Sequence, residues 1–161
     1  MTNEELFTGV AISNWKLALS RLDQLTTPLS NEQLQQEVAP GRNRIYYLLG
    51  HLTAVHDRLF PMLGFGERLH AELDEAFIAN PDKASPDKIS AAELRKSFAD
   101  VNTKLTAAVE ALPAADWLKK HASVSEEDFA KEPLRNRISV LQSRTAHAMF
   151  HAGQITLTTK R

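Results

Sequence analysis

The chain has 161 residues, with 19 Lys and Arg against 20 Asp and Glu, a formal charge of −1 and no cysteine. That length allows one domain, spanning 1–161, that buries its core without a staple, and the missing cysteines exclude disulfides, thiolate metal sites and cysteine nucleophiles. The two signs of charge are interspersed, which leaves no footprint for nucleic acid; no run of about eighteen apolar residues and no basic-then-apolar leader is found, so a cytoplasmic protein is expected.

Thr2 and Glu5 make a capping box for a first helix, with Phe7, Ala11, Trp15, Ala18, Leu22 and Leu25 at amphipathic spacing and Pro28 closing it. Ser30 and Gln33 suggest a short helix to about residue 37, and Pro40-Gly41 then turns the chain. Asn43 is the expected cap of a second long helix carrying Ile45, Leu48, Leu49, Leu52, Val55, Leu59 and Met62, which Gly64 and Gly66 end. Residues 67–88, with Pro81 and Pro86, read as a crossover loop holding at most a helical turn near 69–77.

Ser90 and Glu93 open a third long helix through Leu94, Phe98, Val101, Leu105, Ala108 and Leu112, which Pro113 stops. Residues 114–133 read as irregular, and Asn136 caps a last helix to about residue 157 with Ile138, Leu141, Thr145, Ala148, Ala152 and Ile155 on one side. No period-two alternation competes, so the expected class is all-α, a four-helix bundle with two longer connections. Arg42-Asn43-Arg44-Ile45 recurs as Arg135-Asn136-Arg137-Ile138; the simple reading is two N-caps each followed by a first core residue, the other a pair of related helix pairs.

Chemistry rests on six histidines. His147 and His151 stand four apart, so one helix face can present both imidazoles to one ion. A third ligand must come from another helix, and the second offers His51 and His56; five residues apart, they point about 140° from each other, so one of them faces the site, and periodicity does not say which. Gln154 shares the His151 face, as a hydrogen-bond partner of the site or as a polar residue facing a neighbouring helix. Gly50 and Gly153 would allow close approach of a neighbour. Ala148, Met149 and Phe150 stand where H-E-x-x-H proteases carry their general base, so that mechanism is excluded. Glu67-x-x-His70 is a lone E-x-x-H, where ferritin-like sites need two and further glutamates. His121 reads as a surface residue, Trp15 and Trp117 as packing residues.

Leu48-Leu49-Gly50-His51-Leu52 after an Arg42-Asn43 turn, together with His147-Ala148-Met149-Phe150-His151-Ala152-Gly153-Gln154-Ile155, resembles the DinB/YfiT-like family of metalloenzymes over nearly the whole chain. The resemblance implies an up-down-down-up bundle, often a homodimer, with His51, His147 and His151 as ligands to one divalent metal. Three neutral imidazoles and an open position suit a catalytic site that activates water or a thiol; zinc is the default, and nickel or iron fit as well. The resemblance thus implies a small-molecule hydrolase or a transferase using a low-molecular-weight thiol. The alternative is a non-catalytic metal- or small-molecule-binding bundle of a stress response.

Overall fold

Thr2 and Glu5 open the structure with a reciprocal cap, Glu5 N–H donating to Thr2 Oγ1 and Thr2 N–H to the Glu5 carboxylate. The computed structural model describes residues 1–158. Helix α1 (Asn3–Thr26) buries Thr8, Ala11, Trp15, Ala18, Leu22 and Thr26. Phe7, expected in that stripe, is instead 73% exposed, because Thr8 holds the position that continues the three-and-four series. Ser30 and Gln33 do exchange hydrogen bonds, but around a single 3₁₀ turn, Gln33–Gln35, and not a helix to residue 37.

The second long helix is divided into α2 (Ile45–Asp57) and α3 (Leu59–Leu63). Pro61 explains the break, since it has no N–H to offer the Asp57 carbonyl and its ring crowds that carbonyl. Gly64, at φ 79°, ends α3 in the left-handed region that a glycine enters without strain. Asn43 is not the cap of α2; Arg44 holds that position, and its N–H donates at 2.7 Å to Asp82 in the crossover. The cap is supplied from 38 residues away.

Residues 67–88 hold one π-helical turn, Glu75–Ala79. Helix α4 (Ala91–Ala111) starts at the Ser90–Glu93 capping box, as expected. The stretch read as irregular contains two short helices, α5 (Ala114–Trp117) and α6 (Glu126–Lys131); Ser125 caps α6, and Glu126, Glu127 and Asp128 sit against its positive end. Helix α7 (Arg137–Thr156) is capped by Asn136, whose Oδ1 accepts from Ser139 N–H. The repeated tetrapeptide therefore caps differently in its two copies, through Asn136 in one and the Arg44 backbone in the other.

The four long helices pack in a ring, α1 on α7, α7 on α2, α2 on α4 and α4 on α1. Contacts between Trp15 and Thr106 and between Thr26 and Arg95 run in opposite order along α1 and α4. Contacts of Tyr46 with Ile89, just before α4, and of His56 with Asn102 within it run in the same order along α2 and α4. Ala11 and Trp15 share a core cluster with Leu141, while Ala18 and Leu22 share one with Ala148, Ala152 and Ile155, so α7 runs with α1. Trp15 and Trp117 are fully buried in that core, as packing residues should be. Among the described residues no helix is long and apolar enough to cross a membrane.

Candidate metal centre

Midway along the α2–α7 seam, His51 meets His147 and His151, and one ring nitrogen of each lies within 4.8 Å of the other two. His147 Nε2 is 3.2 Å from His51 Nε2 and 3.0 Å from His151 Nε2. Donors held about 2.0–2.1 Å from one ion at angles of about 90–110° stand roughly 2.9–3.4 Å apart, so the spacing fits a common cation.

Protonation supports the same reading. His51 Nδ1 lies 2.8 Å from the Phe77 carbonyl, which can only accept, so Nδ1 carries the hydrogen and Nε2 a lone pair. His151 Nδ1 donates likewise to Gln154 Oε1 at 2.7 Å, leaving its Nε2 bare. Two lone pairs therefore face His147 Nε2, and one hydrogen there can satisfy only one of them. A cation at the centre would satisfy all three. The Phe77 carbonyl and the Gln154 amide fix ring orientation and tautomer, as partners of metal-bound histidines do.

Burial pushes His147 down to about 4, with repulsion from His151, His51 and Arg144 adding to it. Burial also lowers His151, the Gln154 hydrogen bond opposing it. Both groups are neutral at pH 7, the state a metal ligand requires.

The crossover is pinned to α2 so that it delivers the Phe77 carbonyl. Phe77 packs its ring against Tyr46 and Tyr47 and lies over Gly50. Tyr46 and Tyr47 donate their hydroxyls to the Ile89 and Asn80 carbonyls. Arg44 ties Asp82 and Asp87 down, and the fully buried Asp57 accepts from Leu69 N–H, His70 N–H and Arg68 Nε. A π-turn at this point is the kind of helical irregularity found beside functional sites. Tyr47, one turn before His51, also stacks on its ring at 6.3 Å, a neighbour that helical spacing alone could have identified. Phe77 carries no such signal, because its backbone is the functional group.

Gly50 does admit a close neighbour, though a ring and not a helix: a Cβ there would lie 2.4 Å from Phe77 ring carbons. Gly153 has nothing within 4 Å of that position, so close approach is not its role. Gly50→Ala should therefore cost about 1–3 kcal/mol by overpacking and also weaken metal binding as Phe77 shifts. Gly153→Ala should be neutral or stabilising by up to about 1 kcal/mol through helix propensity. Denaturant midpoints and metal titrations on the two variants check the contrast.

His56 lies outside the group. It is fully buried, donates from Nδ1 to Asn102 Oδ1 at 2.7 Å and stands edge-on to Trp15. His70 pairs with Glu72 and Asp100 while Glu67 is exposed, so the E-x-x-H pair does not converge. His121 is half-buried and accepts from Ser123 N–H.

Fold and site together define a helical-bundle protein with a three-histidine group that could hold a metal ion. The chain belongs to the DinB superfamily, whose family model matches residues 14–155. No curated protein matches it.

Proposed function

We propose that this protein is a metal-dependent enzyme acting on a small molecule, with one divalent ion on His51, His147 and His151. The observation that carries the reading is the convergence of three Nε2 atoms, two of them oriented by hydrogen bonds at Nδ1. Zinc suits three imidazoles, and nickel and iron fit as well. Such an ion, when bound, would supply Lewis acidity to a water or thiol at its open position.

The protein's own part is to hold three imidazoles in place. The Phe77 carbonyl and Gln154 keep Nδ1–H on His51 and His151, and burial keeps His147 and His151 unprotonated. The group consists of histidines alone; a coordinated thiol would be deprotonated outright, whereas a coordinated water would ionise only near about pH 7, which favours transfer to or from a low-molecular-weight thiol over hydrolysis. The exposed Phe7, Val10, Leu118 and Leu134 around one groove beside α1 and α7 fit pairing of two copies in the cytoplasm.

The test is elemental analysis of purified protein, then a screen of electrophiles against a panel of small thiols, with ester and amide hydrolysis in parallel, each with and without chelator. Thiol conjugation that chelator abolishes and zinc, nickel or iron restores is the expected result. Stoichiometric metal with no turnover in any arm would favour the non-catalytic metal-binding alternative. Mass in solution checks the dimer.

A further inference from the structure

Two adjoining depressions, of about 410 Å³ and about 370 Å³, lie along the first half of α7 and share Met62 and His121. Lys119, Lys120 and Arg137 line the first, Arg135 and Arg144 the second, and Glu126 is the one carboxylate in either wall. For a chain of formal charge −1, that is a marked local excess of cations.

Three of these cations have acidic partners: Lys119 pairs with Asp116 at 2.6 Å, Lys120 with Glu126 at 3.5 Å and Arg135 with Glu132 at 3.7 Å. The two α7 arginines are less well matched: Arg137 shares the Asp116 charge with Lys119 without an ion pair of its own, and Arg144 has no acidic partner among the described residues. The Arg137 side chain makes one long hydrogen bond, 3.4 Å to the Asp116 carbonyl, and its buried Nε has no acceptor. Arg144 is half-buried and makes no hydrogen bond or ion pair among the described residues, its Nε again buried. Burial, with the charge of Arg58, lowers its pKa, in keeping with the missing partner. A guanidinium offers five donors in a planar fork; in each arginine Nε is buried without an acceptor, which is costly.

An oxyanion is the acceptor that fork fits, because two parallel N–H groups match two oxygens of a phosphate or carboxylate. Arg137 and Arg144 are seven residues apart, nearly two turns, so they emerge on the same side of α7 about 10.5 Å apart along its axis. Their long side chains can close on a shorter ligand. We propose that this trough is a binding site for a small molecule with two oxyanion groups, one on Arg137 and one on Arg144, with Lys119 and Lys120 adding long-range attraction. The trough does not include the histidine ligands but adjoins them at one end, where Arg144 lies one turn before His147 and its charge reaches that ring.

The experiment is calorimetric titration of the full chain with tripolyphosphate, citrate and orthophosphate, in low-salt buffer without other polyanions. Saturable one-to-one binding of tripolyphosphate or citrate, tighter than orthophosphate and weakened by salt, is expected; the stronger of the two identifies phosphate or carboxylate as the natural group. Arg137→Gln and Arg144→Gln should each weaken it by about tenfold or more, the loss of one charge-assisted pair. His147→Ala and the exposed-arginine control Arg21→Gln should leave it unchanged. Loss of binding in His147→Ala would assign the anion to the metal site, and equal loss in Arg21→Gln would reduce it to net charge; either overturns the trough. Because a variant can misfold, amide resonances of the wild type give a second measurement. Titration should shift His121, Ala122 and Arg137 and leave Tyr47 and His51 in place; the reverse pattern, or no saturable shift, overturns the proposal.

Discussion

His147→Ala should bind metal far more weakly than the wild type while remaining folded. His147 Nε2 is within 3.2 Å of both partner nitrogens and so stands between them; its removal leaves two donors from different helices, and affinity should fall by more than about 100-fold, beyond the roughly 10–100-fold typical of losing an orienting partner. His51→Ala and His151→Ala should fall by similar amounts, and Gln154→Ala, which removes only the group holding the His151 tautomer, should fall within that smaller range. The fold should survive because its core rests on residues the site does not use, among them Trp15, Trp117, Leu22, Leu48 and Leu105. Metal stoichiometry by elemental analysis, read beside far-UV circular dichroism, decides it. Metal should also raise the wild-type melting temperature by mass action, and not that of His147→Ala. Unfolding on chelation would show a structural ion; retention of metal by all three alanine variants would remove the histidines from the site.

Some of this centre is legible in sequence for physical reasons. The His147/His151 spacing requires only that residues 137–156 be helical, and Asn136, the apolar series and the absence of proline make that plain. His51 is different: periodicity places it and His56 on opposite sides of α2 without saying which side meets α7, because both sides of α2 are buried. Only the family resemblance singles out His51, and the geometry brings that residue to His147 and His151. The Phe77 carbonyl was beyond reach, since any residue carries a carbonyl and its position depends on contacts 26 residues from His51. The α2 cap escaped for the same reason, a carboxylate at Asp82 doing what Asn43 was expected to do locally. Phe7 lies one position off the buried stripe, where spacing alone does not separate an apolar residue from its members. Short helices α5 and α6 were hidden by length, since four and six residues are too few for a period to emerge.

Acid should destabilise the protein through His56, well before the carboxylates of an ordinary domain are neutralised. His56 is fully buried, and burial, opposed in part by its hydrogen bond to Asn102, holds its pKa down to about 3. In the unfolded chain the same imidazole titrates near ~6.5. Between those values the unfolded state binds a proton that the folded state refuses, so stability is complete above about pH 6.5 and declines as pH falls toward 3. The slope from this one group approaches about 1.4 kcal/mol per pH unit and amounts to a few kcal/mol over the window. His147, held near 4, and His151 act in the same direction, so chelator-treated wild type should lose stability more steeply than one histidine allows. His56→Gln keeps a side-chain N–H for Asn102 and removes the titration. It should be less stable than wild type at pH 8, because the fit against Trp15 is lost, and its stability should decline with a slope smaller by about one proton's worth between pH 6 and 4. Denaturant unfolding of both proteins at half-unit steps of pH measures the two slopes directly. Parallel curves would mean that the folded protein lets His56 take up its proton near the ordinary value, and the sealed pocket between Trp15 and Asn102 would then not exist in solution.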